Sequence, residues 1–283
     1  MNIVGLGKAG CNIAELFKQY PQYTVFKFDA DEKLKRRKNC FNIPQQGSVE
    51  LYDANPIDLK RLRNNIDKGE EAYMILCGSG KIAGCTLWIA KELASQGLSI
   101  NLIYINPDPA LLDAKSKLRH RAHFHILQQY ARSGVLKSIY LVDNNSMAQI
   151  TGKTSVLNYY NSLNQLVVST IHWLNIYNNT ESVFDTYKEG YVSSRIATFS
   201  IVDAEEEEEK EYFSLEKCNQ IKYFYGFNRI TIENDDSLLE KVNRISQKNV
   251  DENTIISYGI FPTDLEVGFS FALKSSSHIQ EQE

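Results

Sequence analysis

The stretch NIVGLGKAGCNIAELFKQYPQYTVFKFDAD, Asn2 to Asp31, decides the fold. A short strand at Ile3-Val4 runs into Gly5-x-Gly7-x-x-Gly10, and Cys11–Gln19 carries the apolar spacing of a helix. Thr24–Phe28 reads as a second strand, with Asp29 and Asp31 at its end. Strand, glycine turn, helix, strand is a βαβ unit, and it implies a parallel sheet covered by helices on both faces. Glycines at such a turn let the backbone approach an anion, while the helix N-terminus supplies free N–H groups and a partial positive charge. Asp29 or Asp31 stands where the dinucleotide fingerprint has its ribose-binding acid.

The alternation continues outward. Tyr73–Cys77 (YMILC), Ile100–Ile105 (INLIYI) and Ser138–Val142 (SIYLV) read as strands, with helices at Thr86–Ser95 and Lys115–Arg132. After about residue 150 the pattern changes. Thr154–Trp173 is apolar on most sides, as a helix buried between layers or domains would be. Beyond it the expected order is strand Arg195–Val202, helix Ala204–Lys217, strand Gly226–Glu233 and helix Ser237–Ser246. Strands Thr254–Phe261 and Leu265–Leu273 then close as a hairpin-like pair. The five glutamates Glu205–Glu209 read as a solvated helix start favoured by the helix dipole. The expected organisation is α/β: a nucleotide-binding domain over 1–153, a long central helix over 154–178, a smaller α+β C-terminal domain over 179–275, and a frayed polar tail over 276–283.

The chain has 283 residues and a net charge of −4, from 31 Lys+Arg against 35 Asp+Glu, which excludes an overall basic footprint for nucleic acid. No apolar run is long enough to span a membrane, so neither nucleic acid nor membrane is expected as a partner. The N-terminus lacks the basic region and cleavage site of a signal peptide. Cys11, Cys40, Cys77, Cys85 and Cys218 form no C-x-x-C and read as reduced thiols, so a cytoplasmic location is expected.

A second glycine-rich loop, Cys77-Gly-Ser-Gly-Lys-Ile-Ala-Gly84, lies between a strand and the helix TLWIAKEL. Two such loops on one sheet can grip a polyphosphate from two sides through backbone N–H groups. Lys81 precedes the last glycine, so this is not a Walker A loop. An oxidoreductase would not require it. Tyr160 and Asn164 are four apart on the buried helix and share a face. An aromatic ring can stack on a purine and an amide suits the edge of guanine, although by residue chemistry alone core packing is the simpler reading.

At these residues the chain resembles the tubulin/FtsZ superfamily of GTP-binding filament proteins. VGLGKAGCN is similar to its first phosphate loop, FKFDADEKL to its second strand and loop, and MILCGSGKIAGCTLWIAKEL to its signature loop and helix. VDNNSMAQITGKTSVLNYYNSLNQLV resembles the passage into the core helix, and NTIISYGIFPTDLEVGFSFALK the closing strands. The resemblance implies GTP or GDP as ligand, with Mg2+ accompanying it, and copies of the same chain as head-to-tail partners. It implies phosphate contacts from Gly5, Gly7, Lys8, Gly10, Gly78, Ser79, Gly80, Lys81 and Gly84, with Asp31 on the ribose side. Base contacts would come from Asn12, Tyr160 and Asn164.

Departures from the family pattern matter as much. The central Thr of the signature G-G-G-T-G-[ST]-G is Lys81, which can neutralise phosphate charge. Leu111 and Lys115 stand where bacterial members carry a ribose-side Glu and Arg. The hydrolytic pattern N-x-D-x-x-D reads Thr180-Glu-Ser182-Val-Phe-Asp185, which keeps only Asp185, with Glu181 beside a lost position. Positioning an attacking water needs carboxylates at fixed reach, so binding is expected over rapid hydrolysis, and hydrolysis itself stays open. A non-polymerising nucleotide-binding regulator and an NAD-type oxidoreductase remain the alternatives. The chain ends some ten residues after the last strand, so a division role through an appended partner-binding peptide is not expected. His120, His123 and His125 read as part of a solvated basic face rather than as metal ligands, and Lys33–Lys38 as a surface run.

Overall fold

The computed structural model describes residues 1–35, 37–69, 71–187, 194–248, 253–265 and 268–281. The chain divides into two compact units, Met1–Val168 with Ile279–Glu283, and Ser169–His278.

In the first unit β1 (Asn2–Leu6) leads directly into α1 (Gly7–Leu16), followed by β2 (Thr24–Asp29), β3 (Cys40–Asn42), α2 (Val49–Ala54) and α3 (Lys60–Asn65). Then come β4 (Glu71–Cys77), α4 (Thr86–Ser95), β5 (Ser99–Asn106), α5 (Ala114–Arg132), β6 (Ser138–Asp143) and α6 (Asn144–Thr151). The strands lie in the order β3-β2-β1-β4-β5-β6, and every pairing is parallel. Consecutive apolar residues suit strands covered on both faces: Ile3, Val4, Phe26, Met74, Ile75, Leu102, Ile103 and Leu141 are all buried. Strand order reverses between β1 and β4. In such sheets the crevice beyond the carboxyl ends at that reversal is where ligands bind. The first helix starts at Gly7 rather than Cys11, because Gly7 and Gly10 occupy its first turn, where a Cβ would clash.

Helix α7 (Tyr159–Asn178) begins later than expected from Thr154, since Gly152 ends α6 with φ +69 and Asn158 N–H turns back onto Ser155 O at 2.9 Å. Its second half belongs to the second unit, which adds β7 (Phe184–Asp185), β8 (Ile196–Asp203), β9 (Glu208–Glu211) and β10 (Gln220–Asn228). The unit closes with α8 (Arg229–Asn234), α9 (Leu238–Gln247), β11 (Ile255–Thr263) and β12 (Phe271–Ser276). Here the order is β9-β8-β12-β10-β11-β7, antiparallel except for β10 with β11. Tyr177 of α7 stacks on Phe261 at 4.6 Å, while Val242 and Ile245 of α9 pack with Tyr223, Tyr225 and Tyr258. No described helix is long and apolar enough to cross a membrane.

Several sequence expectations fail in this unit. Residues 204–217 are not a helix: the chain turns through Glu207 (φ +53) and returns as β9. Glutamate favours helices, but here alternate glutamates gain a partner. Lys274 is mostly buried and bridges Glu209 at 2.7 Å and Glu211 at 2.6 Å, and Tyr223 donates to Glu209 at 3.1 Å. Residues 229–234 are helical rather than strand, because Asn228 caps them by accepting from Ile230 N–H at 2.9 Å. The last two strands are no hairpin, since β10 lies between β11 and β12. In the first unit the expected frayed tail is anchored: Gln280 is buried and exchanges two hydrogen bonds with Gln128, at 2.8 and 3.1 Å.

Candidate functional site

The first glycine loop sits at the carboxyl end of β1. Gly7 adopts φ +71, which favours glycine, and α1 starts with no side-chain cap on its N–H groups. Gly5 and Gly10 serve packing: a Cβ on Gly5 would lie 2.4 Å from Gly10 O, and one on Gly10 only 2.1 Å from Ile75 O of β4. A Cβ on Gly7 would lie 2.7 Å from Ile82 Cγ2, so the two glycine loops touch. Lys8 and Asn12 are exposed on α1. Burial holds the Asp29 carboxyl above its ordinary range, with Lys8 opposing. Asp31 is committed to its own turn, where it accepts from Lys33 N–H at 2.9 Å.

The second loop leaves β4 and enters a 3₁₀ turn, Lys81–Cys85, whose N-terminus also lacks a side-chain cap. Gly78 lies against Tyr104, whose hydroxyl would be 1.7 Å from a Cβ there, and a Cβ on Gly84 would lie 2.3 Å from Val49 O. Gly80 differs from both, with no atom nearer than 3.7 Å to its missing Cβ, and Lys81 beside it is exposed. Ser79 Oγ meets Cys77 Sγ at 3.3 Å. Helix α5 holds this loop from behind: His123 Nδ1 meets Gly78 O at 2.9 Å and Arg119 Nε donates to Ser79 O at 3.3 Å.

The solvated basic face expected at the histidines is therefore wrong for two of them. His120 is buried, with Nδ1 2.7 Å from the Tyr104 hydroxyl, and burial pushes its pKa down to about 4. His123 is also lowered by burial, so as a neutral ring it donates from Nδ1 to the carbonyl. Only His125 is exposed.

Around the ends of β5 and β6, Asp143 caps α6, accepting from Asn145 N–H and Ser146 N–H at 2.9 Å each, and takes a further bond from Asn106 Nδ2 at 2.9 Å. Burial raises the Tyr159 hydroxyl, with Tyr160, Asp108 and Asp143 adding to it. Tyr160 meets Tyr159 edge-on at 5.1 Å and is 59% exposed, which removes the core-packing reading for it. Asn164 is half-buried one turn on, whereas Leu111 and Lys115 are exposed.

Asp185 lies in the second unit. In β7 it pairs opposite Gly259, and its carboxylate accepts from the Ser182 hydroxyl and from Tyr187 N–H at 3.2 Å. Glu181 is exposed. The Lys222 ammonium sits 4.0 Å above the Tyr187 ring.

The sequence matches no family model and no curated protein. Solved structures do match, over both units. An empty FtsZ dimer of M. jannaschii aligns over 97% of this chain and 87% of its own, at 11% identity and TM-score 0.69. The GTPγS-bound protofilament of CetZ2 from Haloferax volcanii covers 97% and 93%, at 14% identity and TM-score 0.72. A GTPγS-form protofilament of TubZ from Bacillus thuringiensis serovar israelensis covers 97% and 86%, at 14% identity and TM-score 0.71. The chain has the tubulin/FtsZ fold.

Within this tubulin/FtsZ fold, sequence reasoning missed Tyr104, Arg119 and His123. Arg119 and His123 are four apart on one helix and so share a face. That spacing was readable, but nothing in the sequence brings α5 beside the Gly78–Gly80 loop.

Proposed function

We propose that the chain binds GTP or GDP on the first unit and assembles head to tail into filaments, hydrolysing the nucleotide slowly or not at all. One observation carries this reading: two glycine loops touch through Ile82 at the reversal of strand order, and both open onto helical N-termini without side-chain caps. Backbone N–H groups so arranged form an anion cradle. In this reading Gly5, Gly7, Lys8, Gly10, Gly78, Ser79, Gly80 and Gly84 shape the cradle. Lys81 supplies a cation beside it, while Tyr160 stacks on the base and Asn164 and Asn12 read its edge. Mg2+, when bound with the triphosphate, would take mostly phosphate and water oxygens.

Head-to-tail contact is heterologous and gives an open filament unless it closes on itself. It would bring Asp185 and Glu181 of one copy to the nucleotide of the next. A single carboxylate already accepting from Ser182 and Tyr187 supports slow turnover. The neighbours in fold include GTPγS-bound protofilaments, which supports the same reading for this chain. Fluorescent GTP and NAD titrations, with pelleting and negative-stain imaging in GTP, test it. Tight GTP binding with filaments is expected. GTP binding without assembly would favour the non-polymerising regulator, and NAD binding in place of GTP would sink both readings.

A further inference from the structure

We infer that Arg119 and His123 are positioning residues of the phosphate cradle, acting on nucleotide through the backbone of the Gly78–Gly80 loop. The inference rests on the nucleotide reading of that loop. In a trans peptide the C=O and N–H point in opposite directions. His123 Nδ1 holds Gly78 O at 2.9 Å, which turns the Ser79 N–H away from α5. Arg119 Nε holds Ser79 O at 3.3 Å and so fixes the next peptide, whose Gly80 N–H donates to Cys77 O at 3.4 Å. The two contacts together set the orientation of both peptide planes of the loop.

The support behind these two residues is rigid. Arg119 is fixed on its own helix by Nη2 donating to Ser116 Oγ at 2.7 Å. One turn of α5 is locked to β5, where the Tyr104 hydroxyl meets both Nδ1 and the carbonyl of His120, at 2.7 and 3.2 Å. That arrangement fixes the His120 tautomer. With Tyr104 donating to the carbonyl, His120 Nδ1–H donates to Tyr104, and a bare Nε2 suits a site that offers it no acceptor. Gly78 completes the device, since any side chain there would strike Tyr104. Donors aimed in advance at a charge lose little on binding it, and this is how supporting residues act.

The test compares GDP with guanosine, which shares the base and ribose but lacks phosphate, on the full chain by calorimetric or fluorescence competition. His123→Ala and Arg119→Ala should each weaken GDP about tenfold while guanosine affinity stays unchanged. His123→Asn, whose amide can donate from nearly the same place as Nδ1, should restore GDP to within about threefold of the parent chain. Equal GDP binding by parent and Ala variants overturns the inference, as does a parallel loss for GDP and guanosine, which would mark a merely structural role. If the parent chain binds no guanine nucleotide, the reading of the site fails first and the inference falls with it.

Discussion

The glycine loops of the first unit and the Asp185 loop of the second engage their surroundings in opposite ways. At the second glycine loop two carbonyls, those of Gly78 and Ser79, are held from behind by His123 and Arg119. At Asp185 the side chain itself is engaged, because its carboxylate accepts from Ser182 and Tyr187 within the loop. Binding an anion needs backbone donors aimed in advance, which one unit supplies within itself. Positioning a water needs several carboxylates at fixed reach, and the second unit offers Asp185 with Glu181 at the wrong position. On the proposed reading, the difference teaches that a nucleotide cradle can persist while the hydrolytic loop erodes.

Substitutions can break this contrast or sharpen it. The largest effect is expected at Gly10, where a Cβ meets the Ile75 carbonyl at 2.1 Å. Gly10→Ala should cost about 3 kcal/mol in urea unfolding, whereas Gly80→Ala, whose Cβ would meet nothing nearer than 3.7 Å, should stay within about 0.5 kcal/mol. His120 comes next. Its folded pKa of about 4 lies below the ordinary 6.5, so its contribution is complete above 6.5 and is lost as the pH falls toward 4. Unfolding free energy should therefore drop by roughly 2 kcal/mol between about pH 7 and pH 5, and His120→Asn should flatten that slope. Lys81→Ala should weaken GTP by about tenfold or more with no change in stability, and unaltered GTP affinity would remove Lys81 from the cradle. Tyr160→Ala should weaken guanine nucleotides by about tenfold through lost stacking, with unfolding unchanged because the ring is exposed. Smallest is Ser182→Asp, which rebuilds one acid of the hydrolytic pattern. Phosphate release should rise by about threefold, with binding unaffected.

The first unit was legible because its signals are local. The apolar runs of β1, β2, β4 and β5 and the glycines between strand and helix act over a few residues each, and the parallel sheet follows from their alternation. The second unit was less legible because its signals are not local. Glu208–Glu211 became a strand through Lys274, more than sixty residues away, and β10 came between two strands that are neighbours in sequence. At the site, the glycines were visible but not their division of labour: Gly5, Gly10, Gly78 and Gly84 answer to packing, and Gly80 alone of the second loop would take a Cβ without a clash. The histidines were misjudged because a basic helix looks solvated until β5 and the second glycine loop are laid against it.

The most direct measurement follows the fate of bound nucleotide. The chain, at a concentration in the tens of micromolar, is incubated with radiolabelled GTP, recovered by rapid filtration, and its nucleotide identified over time. Close to one guanine nucleotide per chain, still mostly GTP after many seconds, is the expected result. Recovery of no guanine nucleotide, or of GDP alone at the earliest time, would contradict a binding cradle joined to an eroded hydrolytic loop.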